Sequence, residues 1–377
     1  MESSRKINYL FLLAFLFVGC FQKETYSDFQ EELSQLKKDY APDSRTAVFE
    51  FEIAKGVLRG EVDNPILKAK VDSVLKAQGL NLIDSLRLLP GLEDTLAYAN
   101  VSVASLRTKP SESSELATQA LLGTPLRVLE KKGSWYRVQT PDSYIGFLEG
   151  SAMSFNNDFD WHTGKVIYIA PYGFAFEKAS NQARNVSDLT FGNILKLISQ
   201  ENGYSKIMFP DGRLAYVESK SLKPVNEFVN DTDPTKSVVS SQGLMGIPYL
   251  WGGTSWKGVD CSGFTRTSFL MNGVYLPRDA SQQALVGDEV NTSYGFEELN
   301  QGDLLFFGRE TEHGPKVVHV AIYLGGLKFI HSSGMVRYGS FDKASPDFDA
   351  YNLDRFLFAK RIIGSDNIRY LDQENFY

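Results

Sequence analysis

Residues 247 to 263 read Ile247-Pro-Tyr-Leu-Trp-Gly-Gly-Thr-Ser-Trp-Lys-Gly-Val-Asp-Cys-Ser-Gly263. An aromatic, glycine-rich loop runs into Asp-Cys-Ser-Gly, and residues 264 to 272 read as a helix. Asp260 is a good N-cap, because its carboxylate can accept from the free amides of the first turn. Gly273 tolerates the left-handed conformation that ends helices. Cys261 then falls in the first turn, where the helix dipole and unpaired amides favour negative charge. The expectation is a thiol that ionises more easily than a free one, and hence a nucleophile in need of a base.

The chain has four histidines, and two of them sit in Val317-Val-His-Val-Ala-Ile-Tyr-Leu-Gly325 and Lys328-Phe-Ile-His-Ser-Ser333. Both segments are rich in β-branched and aromatic residues, with the turn signal Gly325-Gly326 between them, so they read as a β-hairpin. Strand side chains alternate faces, and His319 and His331 are twelve positions apart. A two-residue loop would place them on opposite faces; a three-residue loop, or a bulge, would place them on one. Gly325-Gly326-Leu327 can supply the odd residue.

Each of these residues has a plainer role available. A cysteine is more often a small buried hydrophobe than a nucleophile, and His319 and His331 could simply pack within the sheet. A zinc site is the other way to combine cysteine and histidine, but it needs three or four ligands at typical spacings. One cysteine and two dispersed histidines do not make that pattern, so neither a metal nor an organic cofactor is expected.

Cysteine on a helix, histidine on a strand and a polar residue on the next strand is the papain-type order. The wording is closer still. Tyr249-Leu-Trp-Gly-Gly, Asp260-Cys-Ser-Gly-Phe, Leu276-Pro-Arg, Gly302-Asp-Leu-Leu-Phe-Phe, His319-Val-Ala-Ile-Tyr-Leu-Gly and Phe329-Ile-His together resemble the NlpC-type (NlpC/p60) cell-wall cysteine peptidases. The resemblance spans roughly residues 236 to 363. It implies an α+β, papain-like catalytic domain with Cys261 as nucleophile, His319 as base and His331 as the residue that orients it. It also implies that Tyr249 helps the amide of Cys261 to hold the oxyanion; packing is the alternative role. Asp260 and Ser262 resemble the pair that holds the free amine of the substrate's first residue, L-alanine; for Asp260 the alternative is capping alone. The implied substrates are peptidoglycan stem peptides or muropeptides, cut by acyl transfer through a thioester at the γ-D-glutamyl–diamino acid bond. The rivals are an amidase or acyltransferase of the same fold, and a wall-binding structural lipoprotein with an inactive domain. The presence of both Cys261 and His319 speaks against the last.

The rest of the chain frames that domain. A length of 377 residues suggests two to four domains. Net charge is −7 and no basic run occurs, which argues against nucleic acid as a partner. Arg5 and Lys6 precede an apolar run of ten residues, Tyr9 to Val18. That is too short to span a bilayer, which takes ~20 residues, and fits a signal peptide over residues 1–19. Phe17-Val-Gly-Cys20 resembles a lipoprotein processing site, which implies a lipid on Cys20 and anchoring to a membrane of the cell envelope, on its periplasmic or extracellular face. Only two cysteines occur, so with Cys20 lipidated Cys261 has no disulfide partner.

Residues 20–96 read as a tether followed by a helical and hairpin segment. Ser27-Asp-Phe-Gln30 is a capping-box signature. Phe49, Phe51 and Ile53 alternate as in a strand, and Asn64-Pro65 opens a helix with Ile66, Val71, Val74 and Leu75 inward. An internal repeat follows. Gly133-Ser-Trp-Tyr-Arg-Val, Pro141-Asp and Gly146-Phe-Leu-Glu149 match Gly203-Tyr-Ser-Lys-Ile, Pro210-Asp and Ala215-Tyr-Val-Glu218 at an offset of 69 residues. Two small β-barrels are expected, over residues 97–155 and 163–227, the first resembling a bacterial SH3-like domain. They could bind wall polymer or only position the enzyme. Residues 228–235 read as a linker, and 236–365 as the peptidase domain. Arg278 is either a surface ion pair or a residue that orders the loop near the site. His313 reads as an exposed loop residue.

Overall fold

The computed structural model describes residues 26–93, 95–155 and 163–371. The expected leader and Cys20 lie outside them. The chain divides into two units, the smaller formed by the described residues up to Thr95 with the short segments 128–130 and 143–145.

In the smaller unit a helix covers residues 26–40. Strands Phe49–Ala54 and Val57–Val62 form the expected hairpin. The helix Pro65–Ala77 is capped by Asn64, whose side chain accepts from the amides of Ile66 and Leu67. Phe29, Leu33, Leu58, Val62, Leu67 and Val71 form the core. Ile66, expected inward, is 63% exposed, and Leu67 is buried instead. One position at a helix start is a 100° rotation, and the cap at Asn64 fixes the phase. A third strand, Ile83–Leu88, runs parallel to Val57–Val62. Only Leu86 within it is buried, so it carries almost no hydrophobic signal.

The larger unit is α+β. It begins with two seven-stranded sheets of one topology. The first runs Met153–Ser154, Leu96–Ala99, Pro125–Lys132, Trp135–Gln139, Ile145–Glu149, Val103–Arg107, Leu116–Leu121. The second runs Leu222–Pro224, Lys165–Tyr168, Ile194–Glu201, Tyr204–Met208, Leu214–Glu218, Tyr172–Phe176, Asn185–Thr190. Each strand of the second starts 69 residues after its counterpart, as Lys165 follows Leu96 and Tyr204 follows Trp135. The repeat in sequence is therefore a repeat in structure. The two barrels meet corner to corner, where the Ile194 amide donates to the Leu122 carbonyl at 2.9 Å. Gly123 and Gly192 turn these corners with φ of 82° and 88°. A Cβ on Gly123 would lie 2.5 Å from the Ile194 carbonyl oxygen, and one on Gly192 2.6 Å from Leu121 Cδ1. Only glycine satisfies both the backbone and the contact.

Residues 228–235, expected as a linker, are partly helical. A helix, Val225–Asn230, buries Val225 and Phe228 against Tyr98, Ile167 and Phe191, and a short 3-10 turn follows at Pro234–Lys236. The polar composition of the stretch hides its buried anchor, Phe228, beside which Val229 also packs. Beyond it, helices Ser237–Gly243 and Cys261–Leu270 precede a six-stranded antiparallel sheet. Its order is Asp288–Val290, Phe356–Arg361, Leu304–Arg309, Lys316–Gly325, Lys328–Ser333, Met335–Ser340. Phe264 and Phe269 of the second helix pack with Leu304, Phe306, Val320, Ile322 and Ile330. Leu305, Phe307, Ala321, Tyr323 and Phe329 fill the opposite face with Phe341. Both faces are buried, which is why these strands read as continuous apolar runs rather than alternating ones.

Candidate active site

The helix Cys261–Leu270 starts where Asp260 leaves extended backbone and its carboxylate accepts from the Gly263 amide at 2.7 Å. Cys261 is thus the first helical residue. Gly263 has no room for a side chain, since a Cβ would lie 1.9 Å from the Gly253 carbonyl oxygen. This closeness packs the loop Gly252–Gly253 onto the helix start. Cys261 packs against the core cluster that includes Val320, the neighbour of His319, and the backbone of Val320 and of Ser262 favours its thiolate.

His319 and His331 occupy adjacent strands, and Nε2 of His319 lies 2.8 Å from Nδ1 of His331. The hairpin loop is two residues, Gly326-Leu327, both at positive φ, and Gly325 pairs with Lys328. The odd residue comes from a bulge: Tyr323 pairs with Phe329, and Leu324 is unopposed. A second bulge lies at Val318, since Phe307 pairs with His319 and Gly308 with Val317. Bulges of this kind re-aim a side chain at the cost of one unpaired residue. The Phe307 ring lies 5.6 Å from that of His319, and the Phe329 ring 5.3 Å from that of His331. With Nε2 of His319 turned to His331, Nδ1 is the nitrogen left for another partner.

Electrostatics depart from the expectation of an acidic thiol. Burial pushes the Cys261 thiol up to about 12, and the neighbouring Asp260 charge adds to the rise. The amides of Val320 and Ser262 and the Arg278 guanidinium pull the other way, and the helix start does not offset the loss of solvent. His319 is held well below the ordinary imidazole range, by burial first and then by His331 and Arg355. His331 is lowered to about 4 by burial, against the opposing pull of Asp349, with Arg337 and Arg355 adding to the fall. In the free protein at neutral pH, thiol and both imidazoles are therefore uncharged.

Arg278 is not a surface residue. It is 1% exposed and bonds both carboxylate oxygens of Asp260, at 2.6 and 3.2 Å, and the hydroxyl of Ser262 at 3.0 Å. Its Nε donates to Thr118 of the first barrel at 2.9 Å. Asp260 also accepts from the Gly252 amide at 3.0 Å. Asp260 and Ser262, expected to hold a substrate amine, are thus already tied to a buried guanidinium.

The first barrel supplies one wall of the loop that precedes Cys261. The Trp251 indole donates to Glu115 at 2.7 Å, and Gln119 accepts from the Thr254 amide at 2.9 Å. Arg266, on the helix that begins at Cys261, bonds Asp142 and the Tyr275 hydroxyl. Lys257 pairs with Asp188 of the second barrel and bonds Ser102 of the first. Glu115, Thr118 and Gln119 carry no motif and nothing in the sequence singles them out, while Asp142 is visible only as part of the barrel repeat. Gln283 is a further silent residue: buried, it accepts from Thr265 at 2.7 Å and donates to the Ser262 carbonyl at 3.0 Å.

Tyr249 is half-buried, and burial, with the charges of Cys261 and Asp260, pushes its phenol up to about 12. It stays a hydrogen-bond donor at any ordinary pH. His313 lies apart, exposed and near Glu312. Among the described residues, no group of three or more His, Cys, Asp or Glu side chains is placed to hold a metal ion, and no helix is long and apolar enough to cross a membrane.

A cysteine at a helix start, packed on an antiparallel sheet beside a bonded pair of histidines on adjacent strands, defines a papain-like cysteine peptidase. The chain belongs to the NlpC/P60 family. The model of that family matches residues 246–348, and the model described as the bacterial dipeptidyl-peptidase Sh3 domain matches residues 106–153. Over 234 residues the chain is 30% identical to the γ-D-glutamyl-L-lysine dipeptidyl-peptidase of Bacillus cereus, covering 59% of this chain and 68% of that one. Over 226 residues it is 32% identical to the enzyme of the same name from Bacillus subtilis, covering 58% and 72%. A crystal structure of an NlpC/P60 family protein from Bacillus cereus superposes with a TM-score of 0.60 at 25% identity, over 71% of this chain and 99% of that one.

Proposed function

We propose that this protein is a cell-envelope cysteine endopeptidase that cuts peptidoglycan stem peptides at the γ-D-glutamyl–diamino acid bond, in substrates with a free N-terminal amine. The observation that carries it is the joint geometry of Cys261, which starts a helix packed against Val320 beside His319, and of His319, whose Nε2 is 2.8 Å from His331. The names of the two Bacillus relatives supply the bond and the free amine, since a dipeptidyl-peptidase releases an N-terminal dipeptide.

In the proposed reaction, Cys261 Sγ attacks the γ-carbonyl carbon while its proton passes to Nδ1 of His319. His331 fixes the ring through the contact between His319 Nε2 and its own Nδ1. The oxyanion takes hydrogen bonds from the Cys261 amide and from the Tyr249 phenol. His319 then delivers the proton to the leaving amine, and water cleaves the thioester with His319 as base. A neutral thiol and neutral imidazole fit this sequence, because the proton moves in the attack rather than before it. The amine falls to Asp260 and Ser262 on this reading. Their place beside Cys261 supports it, and the contact would be shared with Arg278. Lipidation of Cys20 and the anchoring that goes with it rest on the leader sequence alone.

The test compares L-Ala-γ-D-Glu-diaminopimelate with its N-acetylated form by product mass. The expected result is release of L-Ala-γ-D-Glu from the free peptide, at least about tenfold faster than from the blocked one. Cleavage at another bond, or equal rates on both, would overturn the reading.

A further inference from the structure

The second barrel carries a concave site away from Cys261. A cavity of about 250 Å³ opens on its outer face, lined chiefly by Glu177, Lys178, Glu201, Tyr204, Lys206 and Tyr216. Lys206 and Tyr216 are cross-strand partners, and Tyr204 lies two residues along the same face. Strand side chains two apart share a face, so these three line the floor while Glu177, Lys178 and Glu201 stand at the rim. Among the described residues, the side chains of Glu177, Lys178 and Lys206 make no ion pair or hydrogen bond.

The first barrel treats the same face differently. Arg137 and Phe147 stand 69 residues before Lys206 and Tyr216. Arg137 is 8% exposed and lies 5.9 Å from the Phe147 ring, and Lys132 approaches the same ring at 5.5 Å. In that copy both cations lie over an aromatic face of the barrel itself. In the second copy Lys206 is half-buried and Tyr216 carries no cation.

We propose that this face binds a zwitterionic peptide. Unpaired charges of both signs around two aromatic rings match a ligand that carries a carboxylate and an ammonium on a short aliphatic body. The carboxylate meets Lys206 and Lys178, the ammonium meets Glu177 and Glu201, and the aliphatic part lies over Tyr204 and Tyr216. A purely neutral glycan would leave the lysine and glutamate charges unused. The site stands apart from the reaction at Cys261 and does not depend on it.

The experiment titrates the full chain bearing Cys261→Ala with L-Ala-γ-D-Glu-diaminopimelate by calorimetry. The expected result is two sites, of which one weakens at least about tenfold on adding Lys206→Glu. Turnover in the chain with Lys206→Glu alone should match the parent. The exposed Lys178→Glu serves as a second variant that does not touch the barrel's packing. A single site insensitive to both substitutions overturns the inference, as does saturable binding of a peptide-free glycan that survives Lys206→Glu. Failure of the catalytic reading looks different: one site remains, and Lys206→Glu is what removes it.

Discussion

Nε2 of His319 and Nδ1 of His331 lie 2.8 Å apart because the first of their two strands carries one residue more than the second. Leu324 is that residue. Without it the two-residue turn at Gly326-Leu327 would send the imidazoles to opposite faces of the sheet. A local irregularity, far smaller than any motif, thus brings the pair together.

Removing Cys261 or His319 should therefore cost far more than removing His331. Cys261→Ala and His319→Ala are expected to lower kcat/KM on a stem tripeptide on the order of 10^4-fold or more, and His331→Ala by less, since orientation is only part of the effect. Retention of parent-like hydrolysis by Cys261→Ala would remove it as nucleophile.

The thiol should behave as a weak acid in the free protein. With burial pushing it up to about 12, the rate of alkylation by iodoacetamide should climb steadily with pH above the ordinary thiol range near 8.5. A plateau reached below pH 7 would mean a preformed thiolate and would contradict the assignment of a neutral pair.

Acid should destabilise the fold through the histidines. His331 is lowered to about 4, against an ordinary value near 6.5 in the unfolded chain. Above that ordinary value both states are neutral and stability is unaffected. As pH falls through the window toward 4, the unfolded state binds the proton and the native state does not, so stability is lost. The loss is on the order of 3 kcal/mol once the window is crossed. Denaturant melts at pH 7 and pH 4 should show that His331→Asn flattens part of this slope; an unchanged slope would place the cause elsewhere.

Arg278→Ala should unseat the helix start. It leaves Asp260 buried without its cation, an arrangement that costs about 3–5 kcal/mol. Thermal unfolding should show a large fall in Tm, and Arg278→Lys should restore only part of it, because an ammonium cannot span both carboxylate oxygens and Ser262 together. A near-neutral Arg278→Ala would show that the pair carries no net stability.

Intact-mass analysis of protein extracted from membranes should give a mature chain that begins at Cys20 and carries lipid there. A bare thiol at Cys20, or a chain that starts beyond it, would rule this out.

Short-range chemistry was legible in the sequence. Asp260 before Cys261 marks a helix start, because capping is an interaction across three residues. The apolar runs around His319 and His331 mark a β-hairpin, and the 69-residue offset predicts two barrels of one design. Those signals depend on neighbours along the chain or on similarity between two stretches of it. The tertiary structure decided everything that depends on neighbours through space. Nothing near Arg278 in the chain marks it as buried; its partner Thr118 lies 160 residues earlier. Glu115 and Gln119 gained their places only when a barrel strand folded against the loop Trp251–Thr254. The thiol's acidity has the same division: the helix start is a local, visible feature, whereas desolvation is set by all the chain that closes around Cys261.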